Sequence, residues 1–229
     1  KPSLNTESKK SVAILPFVNA SQDVNAEYLS DGITESVINH LSQISGLRVM
    51  SRNSAFRFKD NQTDTKKIAS QLGVETLVTG NIKQVGDKLV INVHLIDAND
   101  DSQIWGNQYV KTSSDVIATQ NEIAQAVAQN LRLKLSPTEQ QKIAKHPTEN
   151  PEAYRLYLQG LYHWNKLTPP EIKKSMEYFQ QAVKIDPNYA QTYAVMGRVF
   201  FSLALTADAP PQEVFPKAEE ATLTALRID

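Results

Sequence analysis

The chain contains no cysteine, which excludes disulfide scaffolds, thiol nucleophiles and cysteine-ligated zinc, and leaves the redox compartment undecided. Net charge is almost absent too: 24 Lys and Arg against 25 Asp and Glu leave −1 at pH 7. A nucleic-acid binder would carry a basic stripe, and there is none. No apolar run nears the ~20 residues that cross a bilayer. No signal peptide is visible in the opening KPSLNTESKK, which holds neither a methionine nor an apolar segment. That polar opening reads as a disordered linker over residues 1–10, and the expectation is a processed or excised piece of a longer protein.

What is present suffices for a sizeable core. At 229 residues, 41% hydrophobic and 21% charged, the composition is that of an ordinary globular protein with room for one large domain or two modest ones. Val12 to Phe17 (VAILPF) is a continuous apolar run, as expected of a strand covered on both faces, with Pro16 near its end. A polar loop, Asn19 to Asn25, leads into a helix over 26–44 whose Leu29, Ile33, Val37, Leu41 and Ile44 recur at helical spacing. Gly46 sits where a left-handed cap belongs, and Leu47 to Met50 starts the next strand. Thr63 or Asp64 can cap a second helix bearing Ile68, Ala69 and Leu72, which Gly73 ends.

Three strand readings follow, over Thr76 to Val85, Lys88 to Ile96 and Gln103 to Lys111, with Gly86-Asp87 as a hairpin loop. A third helix, 115–135, carries Ile117, Ile123, Ala124, Val127, Leu131 and Leu135, with Ser113 or Ser114 as its cap. The expected fold is therefore a two-layer α/β domain over 11–135, with a mixed sheet of about five strands and three helices. Residues 136–150, with two prolines, read as a linker.

From 151 to 229 the pattern turns all-helical and repeats itself. PEAYRLYLQGLYHWNK and KKSMEYFQQAVKIDP form one copy; YAQTYAVMGRVFFSLA and PKAEEATLTALRID form the next. Thr168-Pro169-Pro170-Glu171 has capping-box spacing. Residues 149–229 resemble tetratricopeptide repeats, an all-α array of helical hairpins. Gly160 and Gly197 fall where that motif takes a small residue, and Phe179, Ala182 and Pro187 fit its second helix and terminal proline. Ser175 replaces the usual alanine; in the second copy Ala218 and Ala225 fit and Thr222 departs from the usual aromatic. The turns are longer than in the standard ~34-residue repeat. Two repeats make a short array, so further repeats are expected in the parent protein.

Residues 11–135 resemble the TolB N-terminal-like domain, on VAILPF, EYLSDGITESVINHLSQISGLRV, SRNSAF, IASQLGVETLVTGNI, INVHLIDANDDSQIW and TQNEIAQAVAQNL. Followed by such repeats, the domain is similar to the C-terminal part of membrane-anchored bacterial signalling proteins. Their effector is a serine/threonine kinase, an adenylate cyclase or a winged-helix transcriptional regulator. The resemblance implies a sensory or protein-interaction role, an extracytoplasmic (periplasmic) location with a cytoplasmic one left open, and no catalytic residues, metal or cofactor. A homodimer is compatible with such a role.

Enzymatic and ligand signatures are thin. The loop Asn19 to Asn25 precedes a helix N-terminus, a common phosphate site, yet it holds no glycine and nothing like GxGxxG. Asp97, Asn99, Asp100 and Asp101 are spaced like half a calcium loop, but Ser102 and Gln108 stand where glycine and glutamate are required. His40, His94, His146 and His163 show no zinc spacing.

The repeats supply the better candidates. Tetratricopeptide arrays line a concave groove with first-helix side chains, which here are Tyr154, Tyr157, Leu161 and Trp164, then Arg198 and Phe201. Aromatics and arginine are typical binding anchors. The competing reading packs several of them against absent repeats or against the α/β domain. The expected function is a non-enzymatic interaction module binding a protein partner, contacting no nucleic acid and inserting in no membrane. The alternatives are a free-standing cell-envelope scaffold and a small-ligand or nucleotide-binding domain.

Overall fold

A computed structural model describes residues 10–21, 23, 26–62, 64–206 and 209–229. The disorder expected for the opening concerns residues 1–9, which lie outside the described residues together with Thr63; Lys10 already opens the first strand. The chain divides into two compact units, one ending at Lys145 and the other starting at His146.

The first unit is a mixed sheet with helices. Strands β1 (Lys10–Ile14), β2 (Val18–Asn19), β3 (Leu47–Val49), β4 (Thr76–Val85), β5 (Lys88–Asp97) and β6 (Gln103–Thr112) form one six-stranded sheet in the order β3-β1-β4-β5-β6. The expected single strand Val12 to Phe17 is interrupted. Pro16 cannot donate to a ladder, so pairing with β4 stops after Ile14, and β2 resumes it in parallel at Val18. β4 is the pivot, parallel to β1 and β2 and antiparallel to β5.

Val12, Ala13, Ile14 and Leu15 are all fully buried, which requires cover on both faces. Ala13 and Leu15 meet Ile68, Ala69 and Leu72 of α3 (Thr65–Leu72), together with Val74 and Leu77. Val12 and Ile14 point the other way, toward α1 (Glu27–Leu41) and α4 (Val116–Asn130), which pack on each other. Around β1 the unit therefore has three layers, not the expected two.

Several local expectations change. Gly46 is not a left-handed cap: α1 ends at Leu41, and the Ser42 N–H reaches Ile38 C=O at 2.9 Å. Gly73, at φ 63°, is such a cap. Asp64 caps α3 by accepting from the Lys67 N–H at 2.9 Å. A short helix, α2 (Arg52–Phe56), fills the segment expected to continue a strand, started by Ser51. Before α4 the cap is neither Ser113 nor Ser114. Thr112 and Asp115 close a capping box around a single 3-10 turn. The expected linker 136–150 holds α5 (Pro137–Ala144), whose Ser136 and Glu139 form another capping box. Glu139 also accepts from the Ser45 N–H at 2.8 Å, tying α5 to the turn after α1.

The second unit is four helices, α6 (Pro151–Trp164), α7 (Pro169–Ile185), α8 (Ala190–Leu205) and α9 (Pro211–Ile228), packed as consecutive antiparallel pairs α6/α7 and α8/α9. Three begin on proline, whose fixed φ suits the first helical position. The capping box expected at Thr168 does not form. Thr168 makes no side-chain cap bond, and Glu171 instead binds His163 (2.5 Å) and Lys166 (2.9 Å).

Candidate functional site

The six side chains expected to line one groove separate into two sets. Tyr154, Tyr157 and Leu161 are buried in the first helical pair. Tyr157 is the hub, with ring centroids 6.2 Å from Tyr154, 5.9 Å from Phe179 and 5.1 Å from the fully buried Tyr189. These three positions hold helices together.

Trp164, Arg198 and Phe201 do come together. They line a groove of about 650 Å³ with Leu167, Leu205 and Leu223. Its floor is apolar and open: Leu167 is 67% exposed, Phe201 51%, Leu205 72% and Leu223 51%. Phe201 and Leu205 are one helical turn apart on α8, and Phe201 stacks on Phe215 of α9 at 6.0 Å. Gly197 opens the groove base, because a side chain there would meet Thr222 and the Ala218 carbonyl. The charged groups are Arg198, which has no carboxylate partner among the described residues, and Glu219. Such a surface can bury an apolar segment and orient it with one charge of each sign.

Leu167, Leu205 and Leu223 were not anticipated. The signal was in the sequence: α8 and α9 carry more apolar positions than one buried stripe consumes. Leu167 gave no signal, since it stands in a turn at φ 54°.

The other candidates resolve into structural contacts. The described part of the loop Asn19 to Asn25 is self-bonded, with Ser21 N–H donating to Asn19 Oδ1 at 2.9 Å. The helix behind it carries Glu27 and Asp31, both on Lys59 at 2.7 and 2.6 Å. Two carboxylates at that N-terminus disfavour a phosphate. In the acidic turn, Asp97 and Asp100 accept from the Asn99 and Ser102 N–H groups at 2.9 Å. His94 pairs with Gln103 at 3.0 Å on the sheet, and His163 lies between Glu171 and the Tyr178 ring. No metal-binding cluster occurs among the described residues. No helix among them is long and apolar enough to cross a membrane.

Fold and groove together define a mixed α/β domain joined to helical pairs with an open apolar surface. Residues 8–129 match the HilA/YgeH-like transcriptional regulator, second domain, and the chain belongs to that family. The match falls on nearly the same residues as the TolB-like resemblance. A curated relative, putative adenylate cyclase 3 of Rhizobium meliloti, is 32% identical over 197 residues, 85% of this chain. The chain spans about a third of that relative's length (33%). Among solved structures, TolB from Acinetobacter baumannii is 20% identical with a TM-score of 0.42, covering 55% of this chain and 29% of that one. A lipoprotein from Neisseria meningitidis is 18% identical with a TM-score of 0.38, covering 54% and 98%.

Proposed function

We propose that this chain is a non-catalytic interaction module of a larger bacterial signalling protein, and that its helical pairs present the Trp164–Arg198–Phe201 groove to a protein partner. On this reading the pairs are tetratricopeptide repeats. The observation that carries it is the groove: large apolar side chains stay open to solvent around an arginine with no carboxylate partner among the described residues. Exposed apolar surface of this kind marks binding sites more often than it serves stability. The family supports a role beside an effector, since its name is that of a transcriptional regulator domain. The cyclase relative, three times as long as the matched segment, is compatible with a cyclase effector in the parent. The same reading places the chain on the extracytoplasmic side of a membrane-anchored parent.

The test compares capture of proteins from the source bacterium's lysate by the wild-type chain and by Phe201→Asp and Arg198→Glu. A reproducible partner lost in both variants, with melting temperatures unchanged, supports the groove. Equal capture by all three chains rules it out.

A further inference from the structure

β6 closes one side of the sheet with ten residues and, among the described residues, pairs on one side only, with β5. The opposite edge, β3, has three. Long edge strands are normally blunted by proline, charge or a bulge, because their free N–H and C=O groups invite another strand. β6 has no proline. Its one charge, Lys111, lies near its end and is tied to Glu122 at 2.8 Å. The register shift opposite Leu95 puts an irregularity at Ile104, where the strand begins. Trp105 to Val110 is left unguarded.

The ladder shows which main-chain groups are free. Ser113 N–H donates to the Asp87 carbonyl at 2.8 Å, so those residues form a hydrogen-bonded pair. Antiparallel pairs alternate, and the register runs through Leu89–Lys111, Ile91–Tyr109 and Val93–Asn107. Asn107 and Tyr109 thus turn their backbone groups toward β5. Gly106, Gln108 and Val110 turn theirs to the open edge.

We propose that β6 pairs antiparallel with β6 of a second copy of this chain, about a two-fold axis at Asn107, joining two sheets into one. In that register Gly106 faces Gln108 of the second copy as a hydrogen-bonded pair, using groups that already point outward. Trp105 faces Tyr109, and Ile104 faces Val110. Ile104 and Val110 are 45% and 58% exposed, so the pairing covers apolar surface that otherwise meets water. Lys111 falls opposite Gln103, and no like charges meet. Centring the axis on Gln108 instead sets Trp105 against Lys111 and Ile104 against Thr112, losing both apolar matches. This inference is independent of the groove.

Sedimentation velocity of the full chain over a concentration series is the first measurement, with a monomer–dimer equilibrium expected. Gln108→Pro removes one outward N–H and leaves the β5 ladder intact; Val110→Lys sets a charge in the pairing. Each weakens the dimer at least about tenfold, with the circular dichroism spectrum and melting temperature kept. Because the chain has no cysteine, Asn107→Cys puts two thiols across the axis, where facing Cβ atoms stand ~4.5–5.5 Å apart. It cross-links on mild oxidation, and Asn99→Cys in the acidic turn does not. A chain monomeric at every concentration overturns the proposal, as does a dimer that survives Val110→Lys. A dimer lost in Val110→Lys whose Asn107→Cys form fails to cross-link overturns the register. Should Gln108→Pro unfold, Val110→Lys and the cysteine pair decide alone.

Discussion

The ring of Phe179 on α7 occupies the space that Gly160 on α6 leaves by having no side chain. A Cβ at Gly160 would stand 2.6 Å from ring carbon Cδ1 and 2.8 Å from Cζ. Phe179 is fully buried and has nowhere to retreat. Alanine at 160 gains ~1 kcal/mol of helix propensity, against an overpacking cost of ~1–3 kcal/mol. We expect Gly160→Ala to destabilise the second unit by about 1 kcal/mol in urea denaturation, and Gly160→Ala/Phe179→Leu to recover part of it. A more stable Gly160→Ala chain contradicts this packing.

Tyr189 is buried with its hydroxyl lacking any hydrogen-bond partner among the described residues. Its ring packs on Tyr157, so phenylalanine keeps the packing and removes an unsatisfied polar atom. Tyr189→Phe should hold or raise stability, by up to about 1 kcal/mol. A loss larger than that would show that the hydroxyl has a partner in solution.

Two glycines that look alike in sequence should answer oppositely to alanine. Gly73 caps α3 at φ 63°, so Gly73→Ala is expected to cost about 1 kcal/mol. Gly46 has no positive φ, and nothing lies within 4 Å of an added Cβ. Gly46→Ala should be neutral or stabilising by a few tenths of a kcal/mol. Chemical denaturation of both variants checks the contrast, and an equal loss in each would refute it.

Acid should loosen the first unit through Glu139. The Ser45 N–H, then Ser136, hold its carboxyl at about 2, below the ordinary 4.5. A depressed carboxylate contributes stability above its unfolded value and loses it as pH falls through the folded one. Glu171 behaves alike, lowered to about 2 first by His163 and then by Lys166. The melting temperature should therefore hold down to pH 4.5 and fall between 4.5 and 2. Glu139→Gln should flatten that fall, and an identical slope in wild type and variant would exclude the contribution.

Trp164→Ala and Phe201→Ala should weaken partner capture with little change in melting temperature, because both line the groove and Phe201 is half exposed. Tyr157→Ala should instead collapse the first helical pair, as its ring touches three others. A steep melting-temperature drop for Trp164→Ala would move that residue into the core.

Where one residue carries one strong physical demand, the sequence was readable. Gly73 must be glycine at its φ, and Leu29, Ile33, Val37 and Leu41 share one helical face whatever they meet. The hairpin at Gly86-Asp87 was legible for the same reason, with Val85 paired to Lys88. α2 was not, since five residues give no period, and α5 offers Ile143 as its one buried side chain. The groove was half legible. Spacing places Tyr154, Tyr157, Leu161 and Trp164 along one helix but does not say which side the partner helix takes. It takes the first three.

The pivot at β4 has a kinetic consequence. On one side Val85 meets Lys88 across a two-residue loop; on the other Thr76 must find Val12, most of a domain away in the chain. Short-range pairing closes quickly and long-range parallel pairing slowly. The three-strand meander is therefore expected to assemble first and serve as a template, with β1 arriving last. Until it does, the apolar run Val12 to Leu15 stands uncovered, and that interval is when the chain is most exposed to aggregation.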